Sequence, residues 1–355
     1  MLFGWVKGGI CIHAVILAAG RGSRMGALSD SIPKGLIPLA GKTILTRLLD
    51  VLVESGVHSI HVGIGWKHDL FTKHLHDVVD SYSTHIEAVQ VSSIERGPLH
   101  TLSTVLDNYD DEPFLICPVD YVVSPSIVKQ LIKAHESGGN SRMLTISVTS
   151  ESSNESPTYI RDDGRVAGIG TPVLEFDSVH HSAMLVAANP AAISHFRAAH
   201  ASSEKTVVAA INYMISQRMN VYAAKVAGKW ADIDSFTDLL RAMEHVLSEQ
   251  VKPIEGCIIV PPGDAIEIGD SFEISSGTFL ASGVTIVGPA FIGHTCNLGE
   301  RCRIGPNVSM EHDTRLPQEV TIENCLLFDS ARVKARTQVK DAIVFGSKII
   351  TKESG

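Results

Sequence analysis

A period of six in the C-terminal part of the sequence restricts the fold of this chain more than any other feature. Every sixth residue from residue 268 to residue 328 is apolar: Ile268, Ile274, Leu280, Ile286, Ile292, Leu298, Ile304, Met310, Leu316, Ile322 and Phe328. An α-helix repeats every 3.6 residues and an ordinary strand every two, so neither explains this pattern. A sustained hexapeptide repeat predicts a parallel β-helix, in which each hexapeptide forms one face of a coil.

The preceding residues, up to about 250, alternate short apolar runs with segments of helical spacing. Expected strands are HAVILAA, SIHVGIG, IEAVQV, PFLICPVD and MLTISVTS, and segments such as TILTRLLDVLVESG are expected helices. This alternation predicts an α/β domain with a Rossmann-like, mostly parallel sheet. Ligands of such sheets bind at the carboxyl ends of the strands. The glycine-rich residues 19–26 and Asp120 both follow expected strands, so both are predicted to lie on that edge.

Length and composition narrow the class of protein. A chain of 355 residues suits about two domains. The predicted division is an N-terminal extension over 1–12, a catalytic domain over 13–250, and a linker with the hexapeptide repeat over 251–355.

A formal charge of −9 without basic runs predicts no nucleic-acid partner. No apolar stretch reaches the roughly 18–20 residues that a membrane span needs, and the six cysteines lack a C-x-x-C pair, so we expect a cytoplasmic protein.

The loop after the first expected strand reads LAAGRGSRM, residues 17–25, and Pro33-Lys34 follows it. It is not a P-loop, because Leu36 stands where the first glycine of that motif belongs. It is not the dinucleotide fingerprint either, since its third glycine comes one residue late.

This loop, with Pro33-Lys34, resembles the signature of the sugar-phosphate nucleotidylyltransferases. The segment GPLHTLSTVL (97–106) takes the place of that family's base-binding segment. CPVDYVV (117–123) stands where the family carries its first metal aspartate, and KWADIDSFTDL (229–239) is similar to its closing motif. Several members carry a C-terminal left-handed β-helix with three faces per coil, so the resemblance implies a left-handed parallel β-helix here.

The resemblance implies a Mg²⁺-dependent transfer of a nucleotidyl group from an NTP to a sugar 1-phosphate, which gives a nucleotide-sugar and pyrophosphate. Because the reaction brings two anions together, cations are required: Arg24 offers a planar fork and Lys34 a point charge for phosphates. With Asp120 they form the expected catalytic set. The expected nucleotide-binding residues are Leu17, Ala18, Ala19, Gly20, Gly22, Ser23, Arg24, Met25 and Gly97.

The expected metal ligands are Asp120 and one or both of Asp232 and Asp234. The two later aspartates precede an expected helix, and Asp234 or Ser235 could instead cap it. This favours Asp232 as the second ligand and leaves the choice open.

The sequence also departs from the family's usual pattern, which leaves the nucleobase and the acceptor open. Gly170-Thr171-Pro172 stands where hexose-1-phosphate enzymes carry Glu-Lys-Pro, and Ser92 falls where a base-reading glutamine is common. The alternatives are a cytidylyltransferase acting on a polyol phosphate or phosphocholine, and a non-catalytic regulatory subunit that binds a nucleotide-sugar. His294 and His312 could suggest the base of an acyltransferase, but exposed histidines at turns are the commoner case. The open edge of a β-helix predicts a homo-oligomer assembled through that region.

Overall fold

The structure is a computed structural model, and it describes residues 11–107, 109, 112–150, 156–171, 173–248 and 253–352. Most of the predicted N-terminal extension, Pro172 and the predicted boundary between residues 250 and 251 lie outside the described residues. Two compact units are present: one contains the chain up to Arg21 and Leu45–Trp230, the other Gly22–Ile44 and the chain from Ala231. Among the described residues, every helix is too short or too polar to cross a lipid bilayer.

The regular elements alternate as expected up to residue 248 and then become short strands. The α-helices are Ala27–Ser31, Ile44–Glu54, His68–Val78, Pro98–Leu106, Pro125–Ser137, Ala192–Ala201, Val207–Ser216 and Phe236–Ser248. The strands are His13–Ala18, Pro38–Leu39, Lys42–Thr43, Ser59–Ile64, His85–Gln90, Phe114–Pro118, Tyr121–Val123, Leu144–Thr149, Pro157–Ile160, Val166–Ile169, Ser178–Ala188, Val221–Lys225, Trp230–Asp232, Ile258–Val260, Ala265–Glu267, Phe272–Glu273, Phe279–Leu280, Thr285–Val287, Ala290–Ile292, Asn297–Leu298, Arg303–Ile304, Val308–Met310, Arg315–Leu316, Thr321–Leu327, Gln338–Phe345 and Lys348–Thr351.

The sheet of the first unit is rich in parallel pairs, which confirms the predicted α/β class. His13–Ala18 lies between Ser59–Ile64 and Phe114–Pro118 and is parallel to both, and His85–Gln90 continues the parallel set. Ser178–Ala188 then joins Phe114–Pro118 in antiparallel orientation. The chain therefore leaves its first strand toward one side and later returns on the other, and ligands of such sheets bind at the carboxyl ends of the strands where this change of direction occurs.

The strands of the second unit pair at a constant distance along the sequence and form a nearly closed sheet. Leu280 pairs with Leu298 and Leu298 with Leu316, and Ile286 pairs in the same way with Ile304, all in parallel orientation. The chain therefore returns beside itself after 18 residues, which is three hexapeptides. Ten of the eleven predicted period-six residues are buried, and Ile274 is half-buried. The six-residue period thus marks the positions that face the interior.

The repeat becomes irregular near its C-terminal end. Ile304 pairs with Ile322 at an offset of 18, but Val308 pairs with Cys325 at an offset of 17. The corner between Ile322 and Cys325 has one residue fewer than the corner between Ile304 and Val308. In the shorter corner, Asn324 adopts a left-handed conformation with φ of 48°. The change occurs before Phe328, the residue after which the sequence pattern loses its register.

Candidate active site

The carboxyl edge of the parallel strands carries the start of the predicted nucleotide loop. Ala19 follows the first strand, and its carbonyl accepts a hydrogen bond of 3.0 Å from the Trp66 N–H, which follows the neighbouring strand. On the other side, the Val119 N–H donates to the Leu17 carbonyl at 3.3 Å. These bonds align the loops after three adjacent strands, so Asp120 lies on the same edge as Ala19 and Gly20, as the sequence predicts.

Two glycines on this edge differ in what the fold requires of them. A Cβ on Gly65 would lie 2.4 Å from Ile94 Cγ2 and 2.9 Å from the carbonyl oxygen of Ala19, so close packing demands glycine there. A Cβ on Gly20 would meet no atom within 4 Å. The fold therefore does not explain glycine at position 20, whereas close approach by a ligand would explain it.

Gly97 has a packing role that the sequence did not reveal. It precedes the helix Pro98–Leu106 with φ of +91°, and a Cβ there would lie 2.6 Å from the Lys205 carbonyl oxygen. The same oxygen accepts a hydrogen bond of 3.0 Å from the Leu99 N–H. The predicted contact between Gly97 and a nucleotide stays a prediction beside this structural requirement.

An aromatic residue near two cations, Trp66, also lies on this edge, and sequence reasoning missed it. The Arg21 guanidinium lies 5.8 Å and the Lys67 ammonium 4.6 Å from the centre of the Trp66 ring. The available signal was position: Trp66 and Lys67 come directly after the second parallel strand. Cations against an indole ring form a favourable cation–π arrangement.

In the second unit, the two cationic side chains that are predicted to be catalytic both contact the Asp234 carboxylate. Lys34 Nζ lies 2.9 Å from Asp234 Oδ1, and the Arg24 guanidinium hydrogen-bonds to Asp234 Oδ2. The Lys34 side chain is only 10% exposed, whereas that of Arg24 is 73% exposed. Gly22 has φ of +67°, and a Cβ there would lie 3.2 Å from Lys34 Cγ, so glycine leaves room for the lysine stem.

Three other residues of the predicted nucleotide loop contribute mainly to packing. The side chains of Ala18, Ala19 and Met25 are buried, so their side chains are part of the protein core. Ser23 lies in the turn Ser23–Met25, and its side chain lies outside the described part of the chain. Direct nucleotide contacts of these residues stay predictions.

The question of which residue caps the helix Phe236–Ser248 is resolved by its hydrogen bonds. Ser235 Oγ accepts a bond of 3.3 Å from the Asp238 N–H and donates one of 2.6 Å to the Asp238 carboxylate. Ser235 is therefore the cap, and Asp234 is not needed for that role. Asp232 and Asp234 each place a carboxylate oxygen within 4.8 Å of the other's. This spacing suits a hard divalent cation.

His294 and His312 link two segments of the repeat that lie 18 residues apart in the sequence. The His294 N–H donates to His312 Nδ1 at 2.9 Å, and His294 Nε2 hydrogen-bonds to the Glu255 carbonyl at 2.7 Å. Burial lowers the pKa of His312. These contacts give both histidines a structural explanation.

Comparison with known proteins adds an independent line of evidence. Residues 14–165 match the MobA-like NTP transferase domain, and residues 286–354 match the GMPPB C-terminal domain. The mannose-1-phosphate guanylyltransferase catalytic subunit beta of Drosophila pseudoobscura pseudoobscura is 27% identical over 240 residues, which are 66% of this chain and 62% of that protein. The UTP–glucose-1-phosphate uridylyltransferase AglF of Haloferax volcanii is 34% identical over 109 residues, 30% of this chain and 42% of that protein. The chain thus aligns with less than two thirds of the length of these relatives.

A solved structure supports the fold over 70% of the chain. The inositol-1-phosphate CTP transferase from T. maritima superposes with a TM-score of 0.56 and 17% identity, over 70% of this chain and 100% of that one. At this identity the likeness concerns the fold.

Proposed function

We propose that this chain, which belongs to the sugar-phosphate nucleotidylyltransferase family, transfers a nucleotidyl group from an NTP to a sugar 1-phosphate and releases pyrophosphate. The observation that carries the proposal is the meeting of Lys34 and Arg24 at Asp234. The acceptor phosphate must approach a triphosphate, so charge neutralisation and alignment are the main tasks of the protein. A phosphate monoester is already ionised at neutral pH, so the reaction needs no general base.

The difference in exposure between the two cations supports different roles for them. Lys34 is held by its buried stem, so its ammonium is a fixed charge for the α-phosphate or the acceptor phosphate. Arg24 is largely exposed, so its guanidinium can turn from Asp234 to the β- and γ-phosphates, whose oxygens match its planar fork. Asp234 thereby keeps both cations near their working positions until phosphates replace it.

We propose Asp120, with Asp232 or Asp234, as the ligands of Mg²⁺. The carboxylate oxygens of Asp232 and Asp234 are close enough to share one cation, and carboxylates are the ligands Mg²⁺ takes from proteins. Bound there, Mg²⁺ would offset charge on the α-phosphate. Asp120 enters this proposal from its sequence position after an expected strand. The open space at Gly20 supports the companion proposal that a nucleotide approaches the backbone of the loop 17–25.

We further propose that the 18-residue repeat winds as a left-handed β-helix and joins copies of the chain into a homo-oligomer. The parallel pairing at intervals of three hexapeptides supports the β-helix. The six cysteines form no disulfide, which supports a reducing, cytoplasmic setting. Sedimentation of the full chain at micromolar concentration tests the assembly: a species larger than one chain is expected, and a monomer would reject it.

The reaction is tested by a pyrophosphate-release assay over several NTPs and a panel of acceptors. The panel contains mannose 1-phosphate, glucose 1-phosphate, inositol 1-phosphate and phosphocholine, each with and without Mg²⁺. We expect Mg²⁺-dependent release with at least one pair, loss of release in Lys34→Met, and normal release in Lys129→Met, which removes an exposed lysine elsewhere. Folded protein that turns over no pair would reject the proposal, and tight Mg²⁺-independent binding without product would favour a regulatory subunit.

A further inference from the structure

A second group of polar side chains lies at the amino edge of the first unit's sheet. It is at the other end of the strand His13–Ala18 from Ala19. Cys11, His13 and Glu112 each offer one ligand atom here, and the three atoms lie within 4.8 Å of one another. His13 Nε2 lies 2.5 Å from Glu112 Oε2. Sulfur, imidazole nitrogen and carboxylate oxygen therefore converge on one place.

His13 lies in the sheet, and Cys11 and Glu112 each come two residues before the start of a strand of that sheet. His13 pairs with Ser59 in one neighbouring strand and with Phe114 in the other. The His13 N–H donates to the Pro113 carbonyl at 3.0 Å, directly after Glu112 in the sequence. The Ile12 carbonyl, directly after Cys11, accepts a bond of 2.9 Å from the His58 N–H. Ligands carried on fixed backbone lose little freedom on binding a metal.

Ser59 orients the imidazole of His13. Its hydroxyl hydrogen-bonds to His13 Nδ1, and a hydroxyl can accept as well as donate. When it accepts from Nδ1–H, the lone pair of the imidazole is on Nε2, the nitrogen that points toward Glu112. Histidine ligands of metals are commonly held by such a bond from their other ring nitrogen. Tyr109 packs edge-on against the ring, with centroids 5.3 Å apart.

We propose that Cys11 Sγ, His13 Nε2 and the Glu112 carboxylate bind one Zn²⁺ ion. Zn²⁺ takes this mixture of sulfur, nitrogen and oxygen ligands in tetrahedral sites, whereas Mg²⁺ takes oxygen ligands. With three protein ligands, water fills the fourth position. Three bonds to the metal form, the thiol proton passes to solvent, and the imidazole proton changes from Nε2 to Nδ1, so no oxidant or reductant takes part.

The Glu112 carboxylate accepts hydrogen bonds from both of the other side chains. Hydrogen bonds from Cys11 and then from His13 lower the pKa of Glu112, so Glu112 is the anion that receives both donors. A divalent cation replaces these donors as the partner of the carboxylate.

The site is structural rather than catalytic. Ala18 lies five residue steps along the strand from His13, about 17 Å at the rise of a parallel strand. The metal would bind the start of the described chain to the segment before Phe114–Pro118. We therefore expect Zn²⁺ to raise the thermal stability of the protein and to leave nucleotidyl transfer unchanged.

Co²⁺ in place of Zn²⁺ makes the site visible, because a Co²⁺–thiolate bond absorbs in the near ultraviolet. The full chain, stripped by a chelator, is titrated with Co²⁺ and then with Zn²⁺. We expect the band to saturate at one Co²⁺ per chain and to disappear when Zn²⁺ is added. Cys11→Ser should remove the band, and Cys257→Ser, at a half-buried cysteine of the other unit, should keep it. A stripped wild-type protein without the band, or a band that survives in Cys11→Ser, would overturn the proposal.

Two further variants keep the test decisive if Cys11→Ser does not fold. Ser59→Ala keeps all three ligands and should weaken Zn²⁺ binding by about 10–100-fold, as loss of a bond that orients a ligand does. Glu112→Gln should keep the thiolate band and weaken Co²⁺ binding by at least about tenfold. Unchanged affinity in both variants would overturn the proposed ligand set. The sulfur band separates this site from Mg²⁺ bound by aspartates, so its result does not depend on the outcome of the pyrophosphate assay.

Discussion

Two carboxylates of the second unit, those of Asp234 and Glu311, contact the segment Gly22–Ile44. One is exposed and the other is buried. Asp234 is 36% exposed in its side chain and binds the side chains of Lys34 and Arg24. Glu311 is 1% exposed. Its Oε2 accepts the Gly41 N–H at 3.0 Å, and its Oε1 accepts the Ser309 hydroxyl at 2.5 Å.

The hydrogen-bond partners of each carboxylate indicate whether the fold depends on it. Phosphate oxygens can replace Asp234 as the partner of two cationic side chains. Nothing can replace Glu311, because the backbone at Gly41 is packed so closely that a Cβ there would lie 2.7 Å from Phe291 Cζ. Exposed ion pairs contribute about 0–1 kcal/mol to stability, whereas a buried polar group left without a partner costs about 1–3 kcal/mol. The buried carboxylate therefore belongs to folding, and the exposed one is the carboxylate for which we propose a role in function.

The largest expected effect is on stability. Glu311→Ala leaves the Gly41 N–H and the Ser309 hydroxyl without their acceptor and creates a cavity, so we expect a loss of about 3 kcal/mol or more in the free energy of unfolding. Urea denaturation measures it. Glu311→Gln keeps one carbonyl oxygen as an acceptor and should lose less. A loss below about 1 kcal/mol in Glu311→Ala would contradict the structural role assigned to Glu311.

The next effect is on catalysis. Asp120→Asn and Asp234→Asn should each lower kcat by about 10²-fold or more, roughly 3 kcal/mol, because charge stabilisation is felt mainly in the transition state. For Asp234→Asn the free energy of unfolding should fall less than for Glu311→Ala, because the amide oxygen of asparagine can still accept a hydrogen bond from Lys34 Nζ. His294→Ala, in the repeat, is the control and should leave kcat unchanged. Steady-state kinetics at saturating Mg²⁺ measure kcat, and urea denaturation measures the free energy of unfolding. Near-normal kcat in Asp120→Asn would remove the assignment of Asp120 as a metal ligand.

A smaller effect is expected at Arg24. Arg24→Ala removes the fork proposed for the β- and γ-phosphates, so the KM for NTP should rise about tenfold, and kcat should also fall. Because the Arg24 side chain is 73% exposed, the melting temperature should hardly move. Arg301→Ala, at an exposed arginine of the repeat, is the matched control. Equal NTP kinetics in the two variants would count against a phosphate contact of Arg24.

The smallest effect compares two glycines with open space at Cβ. A Cβ on Gly20 or on Gly269 would meet no atom within 4 Å, so alanine at either position should leave stability nearly unchanged. If a nucleotide approaches the loop backbone, the methyl group of Gly20→Ala should cost about 1 kcal/mol of binding, about fivefold in KM. Gly269→Ala should show no change. Identical KM values for the two variants would mean that the nucleotide does not approach Gly20.

Local patterns predicted the elements of this chain, and long-range pairings remained hidden. The period of six predicted the buried positions of Ile286 and Met310, because interior positions recur at a fixed spacing. The meeting of Lys34 with Asp234 could not be read from the sequence, since 200 residues separate them and only the folded chain brings them together.

Cap and corner details also exceeded what the sequence could decide. Asp234 and Ser235 are both good caps, and only the hydrogen bonds to Asp238 distinguish them. The shorter corner at Asn324 was hidden because Phe328 still continues the period of six. Cys11 and His13 were divided between an extension and a strand, and Glu112 lies 99 residues from His13, so their convergence had no local signal.

The interval of 18 residues between paired strands also limits how this region can change length during evolution. Duplication or loss of 18 residues keeps every following side chain on its original face of the sheet and adds or removes one strand spacing, about 4.8 Å. Because side chains alternate between the two faces of a strand, an insertion of one residue within a strand instead moves every following side chain to the opposite face. Relatives of this chain should therefore differ in this region by multiples of 18 residues, with irregular lengths confined to corners such as the one at Asn324.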